Sequence, residues 1–560
     1  MFATLDFAEE LISIAPEAHI VWIMDDLTVV GTEGERGKVA DFLQQKGPEY
    51  GLFQSTKDGA NNTYSSRVSQ THLDRGFKHC EDGLSRLLGA PLGTREFMRE
   101  AVVKEVDRLT DSVRHLHRIQ DRHWEGVLLR YCYCAKITHL TRLVEPGSMT
   151  KGVQLFEDRM SMQVARLAGE ERGDPEVIKQ AWEVAKQPVR TIGIGIGDVK
   201  LTAPSAFAAS MGAVARLADQ INEPHSKLTL DIIQSDPFSQ EVFSTLSQST
   251  PDTPTPKCPA LVDVKKTPSQ KTLSEVQYEA KTKAIIESFK PRFNARQPGD
   301  AAVRKLQIKK YLYFQSQAQF GSGKEYDSIP KNKQDHLDSF TYTQNLRLRL
   351  GIETQYSIIT DKGTSHANAR HNALRRILIA MYKVLGEDPL EEPAGLLKAA
   401  VNILRRPADI AILPAVHNTE KMLALDVSVI SPVSACFIKG ARNSFDPEPL
   451  QAAKSREKEK VETDQLWVSA EAVDPCYEKI PVVFEATGAW GKSAQDWFRM
   501  VMVSFKVKFP EGIHRSSPLG MEHHWGATSF QAYYHQKIAL SLAKFRGAAF
   551  WHSRVNPFGP

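Results

Sequence analysis

Between residues 407 and 488 three apolar runs stand around one long charged stretch, and this succession restricts the fold more than any other feature of the chain. ADIAILPAV, MLALDVSVISP and IPVVFEATG are rich in β-branched residues, so each reads as a short strand. AAKSREKEKVETD, between the second and third, is too charged for a buried strand and predicts a helix. Upstream, ARHNALRRILIAMYKVLG places Leu374, Ile377, Leu378 and Met381 on one helical face. Helix, strand, strand, helix, strand predicts an α/β domain around a small mixed sheet. Acids stand near the strand ends: Asp409 in RRPADI, Asp426 in LDVSV and Glu485 in FEATG.

Carboxylates on adjacent strand ends are what a metal-dependent nuclease uses to hold magnesium, with a lysine to orient water or offset the charge of the transition state. Sixteen residues separate Asp409 from Asp426, enough for a strand, a turn and the next strand. The familiar nuclease arrangement is a proline-aspartate pair followed by D-x-K. Here Ala408 intervenes between Pro407 and Asp409, and Ser428 holds the lysine's place. The lysine must then come from the following helix, where Lys458 and Lys460 are the candidates. A single aspartate at a strand end serves equally well as a turn cap, so the joint order of the three acids carries the reading.

A second acidic feature lies in HIVWIMDDLTVVGTEG, residues 19–34, where two apolar runs flank Asp25 and Asp26 at the place of a two-residue hairpin turn. Such turns need positive φ at both central residues and favour Asn-Gly or Asp-Gly, and adjacent carboxylates repel each other. The pair suits a site that binds the magnesium of nucleotidyl transfer, and it equally suits a solvated acidic turn. The residues alone leave both open.

From Thr94 the pattern is helical, with Val102, Val106, Leu109, Val113 and Leu116 on one stripe and further helices predicted at 126–143, 151–169, 175–186 and 203–222. Cys132 and Cys134 fall in a helix and read as core residues, since six cysteines in 560 residues form neither a disulfide framework nor a paired metal motif. VRTIGIGIGDVKL alternates Gly strictly and lacks the G-x-G-x-x-G of a dinucleotide site. Residues 235–272, dense in Ser, Thr, Pro and Lys, predict a flexible linker that divides the chain.

Net charge is only +4, but residues 281–349 hold 14 Lys and Arg against 6 Asp and Glu, interleaved with Phe289, Phe293, Tyr311, Tyr313, Phe314 and Tyr342. Either these aromatics stack on bases beside phosphate-binding lysines, or they face a core beneath a solvated basic surface. No run of about 18 apolar residues occurs, so no transmembrane helix is expected. The start MFATLDFAEELISIAPEA lacks the basic region of a signal peptide, which implies an intracellular protein.

Together these motifs resemble a non-LTR retrotransposon polyprotein, a reverse transcriptase with a restriction-like endonuclease at its C-terminus. IMDDLTVVG resembles the polymerase hairpin with its metal-binding aspartates, GLFQSTKDG with Lys57 the following lysine loop, and LLGAPLG the turn before the thumb. RYCYCAKITHLTRL and TAPSAFAASMGAVARLADQ resemble the thumb and connector; LRLRLG, ARHN, RRPADI, LDVSV and FEATG follow in the family's order. The resemblance implies an α+β multidomain chain: palm remnant 1–93, helical thumb and connector 94–234, linker 235–272, basic nucleic-acid-binding helices 273–355 and restriction-like endonuclease 356–560. It implies Mg2+ or Mn2+ at Asp25, Asp26, Asp409 and Asp426, Lys458 or Lys460 as charge stabiliser and Glu485 as supporting acid. Arg370, His371 and Asn372 would lie near DNA, with Arg370 on a phosphate. RNA and DNA are the implied partners, and the nucleus the implied location if chromosomal DNA is cut.

Departures from the family pattern shape the expectation. Met1-Phe2-Ala3 resembles the tail of the nucleotide-pocket motif, so the palm strand with the third catalytic aspartate would lie upstream and polymerisation by this chain is not expected. Ile23 stands where the family has an aromatic residue, and residues 351–369 hold one histidine, His366, and no cysteine, so the family's zinc knuckle cannot form there. The leading expectation is a chain inactive as a polymerase and able to nick DNA; the competing ones are a non-catalytic nucleic-acid-binding remnant and a fragment that folds only in part.

Overall fold

A computed structural model of the chain describes all residues except 1–4, 24–25, 51, 53–61, 64–69, 75–77, 80–84, 88–89, 222, 248–260, 291–300, 331, 353–364, 395, 398–405, 415–419, 435–437, 439–447, 473–474, 509–528 and 556–560. It is an α+β fold, mostly helical with a small mixed sheet. The chain divides into two compact units, Met1–Glu105 with Gly147–Gly152, and Val106–Pro146 with Val153–Pro560.

In the first unit, helix α1 (Leu5–Ile14) presents Phe7 and Leu11, one turn apart, to the same side. They pack with Val39 and Phe42 of α2 (Glu33–Lys46) and with Ile20, Leu27 and Val29 of the hairpin β1 (His19–Ile23) and β2 (Asp26–Val30). Thr32 caps α2 by accepting the Glu35 N–H at 3.3 Å. Short strands β3 (Asn62–Thr63) and β4 (Lys78–His79) pair in parallel, and β5 (Ser85–Leu87) and β6 (Ala90–Leu92), which lies in LLGAPLG, pair antiparallel.

The hairpin corrects one expectation. Ile23 pairs with Asp26, so Asp26 is the first residue of β2 rather than a turn residue. Asp25 and Lys57 lie outside the described residues.

In the second unit, helix α3 (Arg122–Leu128) continues into a π-helical turn, Leu129–Tyr133. The extra residue in that turn shifts the face, so Cys132 is exposed and Cys134 alone is buried, its thiol pushed up to about 12 by burial. The helices α4 (Pro175–Ala185), α5 (Val199–Ile221), α6 (Glu223–Ser235) and α7 (Pro237–Ser247) follow.

Helix α7 lies inside the expected linker. Asp236 starts it by accepting the Ser239 N–H at 2.8 Å and hydroxyl at 2.7 Å, and Val242, Phe243 and Leu246 bury against Phe207, Ala208, Ile233 and Val264. Three apolar residues at helical spacing suffice to order a Ser/Pro-rich stretch once a neighbouring face accepts them.

The aromatics of the basic segment face a core. The segment forms α8 (Gln270–Ser288), α9 (Ala301–Gln317) and α10 (Ser339–Arg349), and Phe289, Tyr311, Tyr313, Phe314 and Tyr342 are all buried. Phe289 stacks on Phe314 at 4.4 Å between ring centroids, so these faces are closed to bases; Phe293 lies outside the described residues. Buried Arg349 donates to the carbonyls of Val189, Thr191 and Gly193 at 2.7, 2.8 and 3.0 Å. The alternating VRTIGIGIG stretch thereby has a structural reason: Ile192, Ile194 and Ile196 bury, and its carbonyls cup a guanidinium. Residues 273–355 therefore share one unit with what precedes and follows them.

The sheet is built from β7 (Leu390–Glu391), β8 (Ile410–Ile412), β9 (Met422–Ile430) and β10 (Tyr477–Glu485), in the order β10-β9-β8-β7. β9 and β10 are parallel, joined by the crossover helix α11 (Gln451–Glu471), and the other two pairs are antiparallel. One face carries Ile410, Leu425, Val427, Val482 and Phe484, buried under Leu374 and Leu378 of a helix spanning Ser365–Val384, under Trp497 and Phe498 of Lys492–Lys508, and under Ile538 and Leu542 of Phe530–Val555. The opposite face receives α11. Among the described residues no helix is long and apolar enough to cross a membrane.

Candidate functional site

Asp409 immediately precedes β8, and Ile410 pairs with Leu425, the residue before Asp426. The Asp409 N–H donates to the Leu425 carbonyl at 2.9 Å, and its carboxylate accepts the Val427 N–H at 2.7 Å. Asp409 is thus bonded to both residues that flank Asp426, and the chain places the two aspartates side by side. His371, from the helix Ser365–Val384, lies with Nε2 at 3.1 Å from the other Asp409 oxygen. Burial pushes the Asp409 carboxyl up, but the His371 contact and charge, the Val427 N–H and the charge of Lys460 outweigh it and hold it below the usual carboxylate value.

Asp426 is held between two lysines. Lys460 binds one carboxylate oxygen, and Lys479 reaches the other at 3.1 Å. The helix α11 supplies a stripe at four-residue spacing along the sheet: Arg456 donates to the Ser428 hydroxyl at 3.2 Å, Lys460 meets Asp426, and Asp464 accepts from the Tyr477 hydroxyl at 3.0 Å. Lys479 also lies 3.7 Å from Asp464 and 5.6 Å from the centre of the Trp467 ring. Burial lowers the Lys460 ammonium below its ordinary value; Asp426 and Asp409 oppose this without cancelling it, and Arg456 adds to it.

The expected residues therefore separate. Lys460 joins Asp426, whereas the Lys458 side chain is 76% exposed and pairs with Glu462 at 3.6 Å. Arg370 and Asn372 flank His371 on its helix, both half-buried.

Glu485 does not belong to this grouping. In the β9–β10 register Asp426 faces Pro481 and Ile430 faces Glu485, so four residues, about 13 Å of strand, separate Glu485 from the aspartates. Its carboxylate is buried, accepting the Ser316 hydroxyl and, at 3.2 Å, the Ala453 N–H at the start of α11. Burial pushes it up to about 7; Ser316 and Ala453 pull it down in part, and Glu457 raises it.

Two side chains of the site escaped the sequence reading. Lys479 is the single cation in YEKIPVVFE, an otherwise apolar strand after its first residues, and Arg456 precedes Lys460 by one helical turn. A charged residue within a strand that must be buried was the available signal for the first.

The donor set fits a hard divalent cation in one respect: magnesium is commonly held by one or two carboxylates with the remaining positions left to water and substrate phosphate. Asp409 and Asp426 supply that number, and among the described residues no group of three or more His, Cys, Asp or Glu side chains is placed to hold a metal. No protein-family model matches this chain, and no curated protein matches it.

Proposed function

We propose that the second unit is a metal-dependent endonuclease that nicks DNA, carried on a chain related to the non-LTR retrotransposon proteins with a restriction-like endonuclease. The observation that carries this reading is the adjacency of Asp409 and Asp426 on neighbouring strands, with Lys460 from the crossover helix on Asp426.

Asp409 and Asp426 would hold Mg2+ or Mn2+, which supplies Lewis-acid polarisation of a phosphate and a more acidic water. The protein's own part is positional. His371 fixes the orientation of Asp409, and Lys479, anchored also by Asp464, fixes Asp426. Lys460 is the cation free to change partner: moving from Asp426 to the scissile phosphate, it offsets the negative charge that builds on the oxygens in the transition state. Its desolvated position favours such a charge-neutralising contact.

The test is nicking of supercoiled plasmid in Mg2+ or Mn2+ by the full chain and by Asp409→Ala and Asp426→Ala. Nicking lost by at least about 100-fold in both variants is expected. No nicking by folded wild type overturns the reading.

A second reading, a nucleic-acid-binding protein without catalysis, is favoured by one observation: both oxygens of Asp426 already carry lysines, as in a structural ion-pair network. Salt-sensitive DNA binding, unaltered by Asp409→Ala and without nicking, would select it.

A further inference from the structure

Beside Asp409 lies an arrangement that the reaction above does not use. Glu392, just after β7, donates its N–H to the Asp409 carbonyl at 2.8 Å. Its carboxylate is shared between two guanidinium groups: Arg375 binds one oxygen and Arg406 the other. Arg375 stands one helical turn after His371, so a single helix face serves both Asp409 and Glu392. Arg406 precedes Asp409 by three residues. Glu391 adds a looser contact to Arg375 at 3.7 Å.

Three observations distinguish this group from an ordinary surface ion pair. First, two guanidinium groups converge on one anion, each bonding a different oxygen, so the pair is spaced to hold a multi-oxygen anion such as phosphate between them. Second, Glu392 sits at φ +43°, a left-handed conformation that a β-carbon disfavours, so the backbone is held out of its preferred region to put this carboxylate there. Third, the Arg375 Nε–H is buried and finds no partner among the described residues, leaving a donor that a bulkier tetrahedral anion could engage. Arg406 is exposed and Glu392 half-buried, so the seat opens to solvent.

We propose that Arg375 and Arg406 form a seat for a backbone phosphate of DNA, adjacent to the phosphate cut at Asp409 and Asp426, and that Glu392 fills this seat until DNA displaces it. The proposal rests on the nuclease reading and extends it to how the strand is held. Glu392 is then a stand-in for phosphate, and neutralising it should tighten DNA binding, whereas removing an arginine should weaken it.

The experiment measures binding of a fluorescent duplex oligonucleotide by anisotropy, in chelator so that nothing is cut, over a range of salt. Glu392→Gln is expected to bind roughly fivefold tighter and Arg406→Ala roughly fivefold weaker, the latter with a salt dependence shallower by about one phosphate contact. Lys383→Ala, which removes an equal charge farther along the same helix, should leave affinity within about twofold. Arg375→Lys, which keeps the charge and loses the further guanidinium donors, should also weaken binding. Inorganic phosphate should compete with duplex better on Glu392→Gln than on wild type.

If the Glu392 and Arg406 variants change only thermal stability, and in the same direction, the group is a structural ion pair and the proposal falls. Wild type that nicks and binds, with variants of unchanged affinity and salt slope, overturns the seat and leaves the nuclease standing. Wild type that neither binds nor nicks overturns both.

Discussion

The middle and the far end of the β9–β10 pair carry carboxylates in opposite surroundings. Asp426, midway along β9, meets two ammonium groups, with Asp409 beside it and His371 on Asp409. Glu485, on the same strand pair but four residues on, meets a hydroxyl and one backbone amide and, among the described residues, no bonded cation, and is 1% exposed. One sits in a charge network, and the other is an acid that burial pushes up to about 7. The contrast gives them different work under the proposed function: Asp426 would hold the metal, whereas Glu485 ties the start of α11 to the Ser316 end of α9.

The largest effect that sharpens this contrast is expected from Asp426→Ala. It leaves Lys460 and the nearly buried Lys479 without their shared anion, which should cost about 3–5 kcal/mol in unfolding free energy measured by denaturant titration. A loss below about 1 kcal/mol would mean that the lysines relax into solvent and the network is loose.

Glu485→Gln should act through pH. The folded protein favours the protonated carboxyl, its value raised from 4.5 to about 7, so its stabilising contribution is fully present below about pH 4.5 and is lost as pH rises through 7. The wild type should lose up to about 1.4 kcal/mol per pH unit in that window from this group. Glutamine, a neutral mimic, should flatten the slope and be the more stable variant above pH 7, read from urea midpoints at several pH values. An unchanged slope would place Glu485's titration elsewhere than the folded core.

The smallest effect is expected at Lys458. Its exposed pair with Glu462 should contribute under about 0.5 kcal/mol, so Lys458→Met should leave both stability and nicking unaltered, while Lys460→Met reduces nicking by at least about tenfold. Equal effects at the two lysines would break the assignment of roles along α11.

Much of the sheet region was legible because strands and acids occur in a readable order: the runs around Asp409, Asp426 and Glu485 became β8, β9 and β10. Which acids meet was not legible, since strand pairing fixes it, and the parallel β9–β10 register sends Glu485 away from Asp426. Nor could Lys460 be told from Lys458, because α11 carries charge around much of its surface, and it is the stripe of Arg456, Lys460 and Asp464, not Lys458, that meets the polar residues of the sheet. The basic aromatic segment misled for a related reason. Its lysines and rings alternate closely in sequence, yet a helix turns the rings of Tyr311 and Phe314 inward while Lys305 stays outside. In 235–272, composition masked the spacing of Val242, Phe243 and Leu246.

The most direct test sets three conservative substitutions side by side: Asp409→Asn, Asp426→Asn and Glu485→Gln, each confirmed folded by circular dichroism and assayed for plasmid nicking in Mg2+. Loss of nicking in the first two, with Glu485→Gln within about threefold of wild type, is the predicted result. Nicking that survives Asp409→Asn and Asp426→Asn, or that Glu485→Gln abolishes equally, would contradict the division of these carboxylates into one reactive pair and one structural acid.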